Sequence, residues 1–275
     1  MDTQAIAAFR EVVMSYYTTQ GRHDLPWRQA EANGTFDPYK ILVSEIMLQQ
    51  TQVSRVIPKF VQFIAQFPNI QVLSAASLGD VLTSWSGLGY NRRAKFLWQA
   101  AQKAQRQYNG QLPDSKELLI TLPGIGANTA GAIMTYAYNK PEVFIETNIR
   151  TVLIHHFFTD EQQIPDARLA ELMLVTLPVS NYREWYWALM DYGTYLKQTV
   201  GNLSTRSKMF TKQSKFHGSN RQIRGQVLKL LGAREYTKAQ LVKQIVDERL
   251  PAVLADLAKE SLIAQIDDHY TLPRM

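Results

Sequence analysis

Residues 122–126 read Leu-Pro-Gly-Ile-Gly, and helical patterns run up to this string and away from it. No other feature of the chain limits its fold so tightly. Two glycines one residue apart admit backbone torsions closed to other residues, so the chain reverses sharply and exposes consecutive N–H groups. The helix expected over 127–138 begins at that turn and aims the positive end of its dipole outward. Such a corner either simply joins two helices, as glycine turns often do, or holds a phosphate without a cationic side chain. Twenty positions beyond the second glycine stands an isolated acid, Glu146.

The first two hundred residues read as a succession of short helices. An opening helix over 3–19 places Ile6, Phe9, Val13 and Tyr17 on one face. Asp37-Pro38 makes a helix start, a capping carboxylate followed by proline in the first turn. Further helices are expected near 39–50, 55–66, 78–85, 92–108, 115–121, 127–138, 147–157, 166–176 and 183–198, joined by short loops carrying Gly, Pro or Asn. No strand is expected here. The fold class is mainly α, with a helical body of two lobes and a cleft.

From Lys197 to Arg224 the chain carries Lys197, Arg206, Lys208, Lys212, Lys215, Arg221 and Arg224 and no acid. This reads as a basic connector, either a solvated linker or a contact for a DNA backbone. Helices over 222–231, 237–246 and 250–260 follow, then strands over 262–266 and 270–272 turned through Asp267-Asp268-His269. That outline matches a winged helix-turn-helix. Its third helix holds Asp256, Lys259 and Glu260, and this mixed charge suits packing as well as groove reading. The expected domains are 1–200, a connector over 201–220, and a small module over 221–275.

Composition excludes several chemistries. The chain has 275 residues and no cysteine, which removes disulfides, thiolate metal sites, cysteine-ligated iron–sulfur clusters and a thiol nucleophile. A formal charge of +6 accommodates a polyanionic partner. His155 and His156 are adjacent on a helix and diverge, and no spacing of His, Asp and Glu suggests a metal site. No apolar run is long enough for a membrane span and no signal-peptide pattern opens the chain, so a cytoplasmic protein is expected.

Glu45 lies in the apolar string Ile-Leu-Val-Ser-Glu-Ile-Met-Leu, with Ile41, Leu42 and Leu48 as its helical neighbours. A carboxylate on such a face either pairs within the core or is kept for a task, and burial raises its pKa toward that of a general acid. Gln49, Gln50, Thr51 and Gln52 follow, amides suited to base edges that have lost their partners. Gly87-Leu88-Gly89-Tyr90 makes a second glycine turn with an aromatic tip, trailed by Arg92, Arg93 and Lys95. An aromatic wedge beside cations fits nucleic acid, although a surface turn with a tyrosine is ordinary.

With these segments in order, the chain resembles the helix-hairpin-helix DNA glycosylase superfamily, and within it the MutY-type adenine glycosylases. The strings that carry the likeness are Leu25-Pro26-Trp27-Arg28, Val43 to Val53 around Glu45, Gly87-Leu88-Gly89-Tyr90 and Leu122 to Gly126. It covers about residues 5–200. The resemblance implies a two-lobed helix-hairpin-helix fold and an enzyme of base excision repair that turns a nucleotide out of double-stranded DNA and hydrolyses its glycosidic bond. It implies that Glu45 protonates the base, that Glu146 stabilises the oxocarbenium-like sugar, and that Asn148 assists beside it. Gln49, Gln50, Tyr90 and Arg92 would enter or grip the helix. Leu122, Gly124, Gly126, Asn128 and Thr129 would hold a phosphate, with a monovalent cation on the hairpin carbonyls as an accessory. Trp27, Arg28, Leu48 and Trp187 would line the base pocket.

Four departures shape the expectation. Glu146 replaces the family's aspartate and adds a methylene, and a shift of about 1 Å costs roughly a hundredfold in rate unless the backbone adjusts. Asn128 stands where bifunctional relatives carry a Schiff-base lysine, so base removal without strand cleavage is expected. The cluster cysteines are missing and basic residues occupy their place. Trp187 takes the place of a glutamine or glutamate that faces adenine, and its indole lacks their paired acceptor and donor. The 8-oxoguanine-reading domain is replaced by the winged module. The expected protein is a monomeric, nucleoid-associated, monofunctional glycosylase acting on adenine opposite 8-oxoguanine or guanine. Uracil or thymine opposite guanine is the alternative substrate, and a non-catalytic lesion binder the alternative class.

Overall fold

The computed structural model describes residues 2–274. Helices dominate and follow local signals. α1 (Thr3–Gln20) starts where the Asp2 carboxylate accepts from the Gln4 N–H, and it buries Phe9, Val13 and Tyr17. α2 (Pro38–Leu48) starts where Asp37 accepts from the Tyr39 N–H at 2.8 Å. Then come α3 (Val53–Gln66), α4 (Ile70–Ala75), α5 (Leu78–Ser84) and α6 (Arg92–Tyr108). α7 (Lys116–Ile120) and α8 (Ala127–Tyr138) flank the Leu-Pro-Gly-Ile-Gly turn. α9 (Thr147–Phe157), α10 (Asp166–Thr176) and α11 (Tyr182–Thr199) complete the body. α4 is absent from the sequence reading. Its six residues are too few to show a helical period, yet the Asn69 side chain caps it by accepting from the Val72 N–H.

The last segment holds α12 (Asn220–Ala233), β1 (Tyr236–Thr237), α13 (Lys238–Gln244), α14 (Leu250–Lys259), β2 (Ala264–Ile266) and β3 (His269–Thr271). Thr237 and Gln240 form the capping box of α13, each side chain accepting from the other's backbone N–H. The strands form an antiparallel sheet in the order β1-β3-β2, with Tyr270 opposite both Tyr236 and Gln265. Two residues of β1 are too short a run for periodicity to reveal. Leu262 and Ile263, expected in a strand, precede the ladder and fill the core instead.

Packing divides the chain into two compact units that do not follow sequence order. One comprises residues through Ile41, Asp114–Ile120 and Ile125–Lys212; the other comprises Leu42–Pro113, Thr121–Gly124 and residues from Gln213 onward. In the first, α9 and α11 touch backbone to backbone at Gly193, where an added Cβ would lie 2.4 Å from the Asn148 carbonyl oxygen. Phe144 stacks on Tyr186 at 4.1 Å between ring centres, and Phe9 meets the Trp185 edge. In the second, Trp85 packs edge-on against Phe63, and α12 lies on α5 beside Gly232 and Thr83. The Gly79 N–H donates to the Pro273 carbonyl at 2.8 Å. α12 and the chain at Leu272 and Pro273 therefore share a core with α5, although composition sets that segment apart.

The basic stretch is not uniformly a connector. Lys197 belongs to the last turn of α11. Leu203–Arg206 forms a 3-10 turn, and Ser207 bridges to Ile164. Arg206 donates to the carbonyls of Glu161 and Phe158, so the segment is pinned to the body by hydrogen bonds.

Candidate active site

In the first unit, Glu146 occupies the N-cap position of α9 and Asn148 its first turn. Burial pushes the Glu146 carboxyl above its ordinary range, while Arg150, the Thr147 amide and Lys197 pull it back. Arg150 is shared, because its guanidinium also holds Asp166 through Nε at 2.9 Å. Lys197 reaches across from α11 and donates from Nζ to Asn148 Oδ1 at 2.6 Å. Asn128 Nδ2 donates to the Ile145 carbonyl at 3.1 Å, tying α8 to the residue before Glu146. The sequence places Lys197 at the end of the helix expected over 183–198 and at the head of a basic run, and composition cannot show that it turns inward onto Asn148.

The expected base-pocket residues of this unit also meet. Arg28 is 8% exposed and its two terminal nitrogens fork onto Asp191 at 2.8 and 2.9 Å. Arg22 grips the same carboxylate, donating from Nε at 2.8 Å. Three charges in one buried network hold the Leu25–Arg28 strip against α11. The Arg28 guanidinium sits 5.3 Å over the Trp187 ring, and Tyr136 stacks on the same indole at 6.0 Å between ring centres and 16°. Arg28 is thus a brace and a stacking surface, since its paired donors are committed to Asp191. Trp27 is buried beside it. Asp191 escaped the sequence reading, although an acid amid Trp-Ala-Leu-Met-Asp-Tyr was the available signal.

In the second unit, Glu45 is half-buried on α2, flanked by buried Ser44 and Ile46, and Leu48 is half-buried one turn on. Arg93 lies beyond the end of this helix. It is 8% exposed and donates to the carbonyls of Ile46 at 2.7 Å, Gln49 at 2.7 Å and Gly89 at 3.1 Å. Burial lowers its guanidinium to about 10. The sequence groups Arg93 with Arg92 and Lys95 as cations for nucleic acid, but the fold makes it an internal clamp that satisfies helix-end carbonyls and joins two loops. Lys95, from the same run, donates to the Glu260 carbonyl at 2.6 Å.

Each clamped loop ends in a residue with a left-handed backbone, Gln50 (φ 55°) and Tyr90 (φ 47°). Non-glycine residues held there cost roughly 1–3 kcal/mol, and such strain clusters at functional positions. Gln49, Gln50, Tyr90, Arg92 and Gly124 line one cavity of about 520 Å³, with Arg221 and Arg224 of α12 on its wall. The Tyr90 hydroxyl accepts from Arg221 Nη1 at 2.5 Å and from Gln213 Nε2 at 2.5 Å. The Arg221 guanidinium also lies 4.8 Å over the Tyr90 ring. Arg224 pairs with Glu260. Residues more than 120 positions from Tyr90 in the chain thus complete its surroundings, and no local pattern announces that.

At the turn, only one glycine needs its torsion. Gly124 has φ 79°, and a Cβ there would lie 2.7 Å from Phe96 Cβ. Gly126 has an ordinary φ of −90° as N-cap of α8, with open space where a Cβ would stand. The expectation that both glycines need special torsions is corrected: Gly126 keeps the approach to the α8 amides clear. Leu122 is 2% exposed, so its side chain anchors the turn and leaves outward contacts to its backbone. Thr129, one position past Asn128, is half-buried in the first turn of α8. His156 meets the Tyr192 hydroxyl at 3.1 Å while His155 is exposed. Among the described residues, no three His, Cys, Asp or Glu side chains gather as metal ligands.

The pattern of the HhH-GPD superfamily of base excision DNA repair proteins matches residues 43–176. A relative from Mycobacterium tuberculosis (strain H37Rv) called adenine DNA glycosylase is 32% identical, over 95% of this chain and 92% of its own length. Another adenine DNA glycosylase, from Buchnera aphidicola subsp. Baizongia pistaciae, is 38% identical over 68% of this chain. The chain spans about half the length of that relative, 52%. Among solved structures, a thermostable thymine-DNA glycosylase superposes with a TM-score of 0.60 at 23% identity, covering 69% of this chain and 86% of its own. A trapped endonuclease III–DNA covalent intermediate gives 0.57 at 16% identity, covering 72% and 87%. At these identities the structures speak to the fold, which is the mainly helical one expected from the sequence.

Proposed function

The chain belongs to the HhH-GPD superfamily of base excision DNA repair proteins, and on that premise we propose that it is a monofunctional DNA glycosylase acting on adenine mispaired with 8-oxoguanine or guanine. Two observations support this reading, strained loop tips in one unit and a buried carboxylate with its polar partners in the other. Gln50 and Tyr90 are held in left-handed conformations around one buried guanidinium, and Glu146, Asn148 and Lys197 are gathered at the start of α9.

Hydrolysis needs the glycosidic bond outside the base stack, and the energy to extrude a nucleotide comes from side chains that replace the lost stacking. Tyr90 and Gln50 are suited to that task. The outward amides around Gly124 and Gly126 grip a backbone phosphate. Glu45 donates a proton to the base as the bond from C1′ to nitrogen breaks, so the base leaves neutral. Glu146, as a carboxylate, stabilises the positive charge left on the sugar. Water then adds at C1′ and gives its proton to the Glu45 carboxylate, restoring the acid and leaving an abasic site. Asn128 offers an amide where an amine nucleophile would be needed, so no strand cleavage accompanies the step.

Without a cysteine in the chain, a thiolate-held iron–sulfur cluster has no ligands here, and Arg206 and Ser207 pin the segment after α11 by hydrogen bonds. The hairpin carbonyls offer neutral oxygens of the kind a monovalent cation takes, and no step depends on one. The proposed partner is double-stranded DNA carrying a mispaired or damaged base, engaged by a monomer on the nucleoid. Trp187 favours a second reading for the substrate. Its indole offers one donor and lacks a paired acceptor and donor, so uracil or thymine opposite guanine is the competitor to adenine.

The test is a panel of duplexes bearing A, U or T opposite G or 8-oxoguanine, with alkali revealing abasic sites. Excision of adenine, lost in Glu45→Gln while duplex binding persists, is the expected result. Absence of alkali-labile product on every duplex would leave a DNA-binding protein without the enzyme.

A further inference from the structure

One cation near Glu146 has no part in the chemistry described so far. Lys197 lies in the last turn of α11, is half-buried, and donates from Nζ to Asn148 Oδ1 at 2.6 Å. Its position is set by a close approach of backbones. Gly193, one helical turn earlier, lets α11 touch the Asn148 main chain, where a Cβ would lie 2.4 Å from the carbonyl oxygen and 2.8 Å from the Asn148 Cβ. The lysine therefore reaches its partner along a helix whose distance from α9 is fixed.

An ammonium has three donors and no acceptor, so the Asn148 atom facing it must be the oxygen. The amide nitrogen is thereby turned away, toward Met190 Sδ at 4.0 Å, a weak acceptor. A donor held in that state is ready for an oxygen of substrate or water. The same positive charge acts on Glu146, whose ionisation burial opposes.

We propose that Lys197 is a positioning residue of the reaction centre, which orients the Asn148 amide as a donor and keeps Glu146 a carboxylate. The inference rests on the glycosylase reading for its kinetic consequence, but its two structural claims stand without turnover. The charged groups around it come from several elements. Arg150 of α9 adds a second cation beside Glu146, and Asp166 of α10 engages that arginine. α8 contributes the neutral amide of Asn128 on the Ile145 carbonyl. Burial in this setting lowers Lys197 to about 8, so it carries its proton at neutral pH.

The experiment compares the full chain with Lys197→Met and Lys197→Arg. The Glu146 carboxyl is titrated by carbon NMR in the free protein, and single-turnover excision of adenine opposite 8-oxoguanine is followed against pH. In Lys197→Met the Glu146 midpoint is expected to rise, because Lys197 is one of the groups that favour the carboxylate. The acid limb of the excision profile should rise with it, and the plateau rate should fall about tenfold or more for the misoriented amide. Lys197→Arg should keep the midpoint near wild type. A Glu146 titration that coincides in wild type and Lys197→Met overturns the proposal, whether or not the protein turns over. Absence of wild-type excision with a shifted Glu146 midpoint would support the positioning role and sink the glycosylase reading instead.

Discussion

Gly193→Ala sets two effects of opposite sign against each other. In a helix interior, alanine is better than glycine by about 1 kcal/mol, so propensity predicts a more stable protein. The tertiary structure predicts the reverse. The new methyl would lie 2.4 Å from the Asn148 carbonyl oxygen, and ordinary contact starts at 3.4 Å, so α9 and α11 must part by about 1 Å. The obstacle is backbone, which cannot swing aside as a flexible side chain does. Overpacking of this kind costs about 1–3 kcal/mol, leaving a net loss of up to about 2 kcal/mol. A domain stable by roughly 5–15 kcal/mol remains folded after that loss. The larger consequence is geometric. A 1 Å separation takes the Lys197–Asn148 hydrogen bond from 2.6 Å past the hydrogen-bonding limit. Misplacement of a reacting group by about 1 Å costs on the order of a hundredfold in rate. Thermal melts and single-turnover excision on the same preparation test this, with Gly225→Ala on α12 as control, where a Cβ meets nothing within 4 Å. Gly193→Ala should melt lower and lose roughly a hundredfold in rate, while Gly225→Ala should melt no lower than wild type. A Gly193→Ala protein that melts higher and excises at the wild-type rate would refute the reasoning.

Asp191→Asn leaves the Arg28 guanidinium, 8% exposed, without its counter-charge. The expected loss is about 3–5 kcal/mol in urea unfolding, and a double mutant with Arg28→Met should be far less than additive. His156 is lowered to about 4 by burial and by His155, against 6.5 for a free histidine. Between those values the unfolded chain binds more protons, so stability falls as pH drops through the window. After allowance for partial solvent contact the loss reaches at most about 2 kcal/mol, and melts at pH 4.5 and 7 should converge in His156→Gln. Arg221→Met removes a guanidinium from the Tyr90 cavity and should lower the salt dependence of duplex binding by about one released counterion. An unchanged slope would mean that Arg221 only braces Tyr90.

The helices and their limits are legible in the sequence where the signal is local. α6, α8, α9 and α10 have the expected bounds, because caps and periodic apolar positions act within a few residues of each other. The capping threonine of α13 is legible for the same reason, and so is the sharp turn at Gly124. The order of Glu45, Tyr90, the glycine turn and Glu146 also carried the family, since residue types at fixed spacing survive without coordinates.

Long-range partners were not legible. Arg92, Arg93 and Lys95 look alike in the chain, yet Arg93 is clamped inside by carbonyls from two loops and Lys95 is bonded to Glu260. Lys197 reads as part of a basic run until α11 turns it onto Asn148. Asp191 acquires its meaning from two arginines more than 160 positions earlier. Local backbone preferences act over one helical turn, and a sequence records them directly. The ionisation of a side chain depends on which charges and how much water surround it, and those neighbours are chosen by packing between segments far apart in the chain.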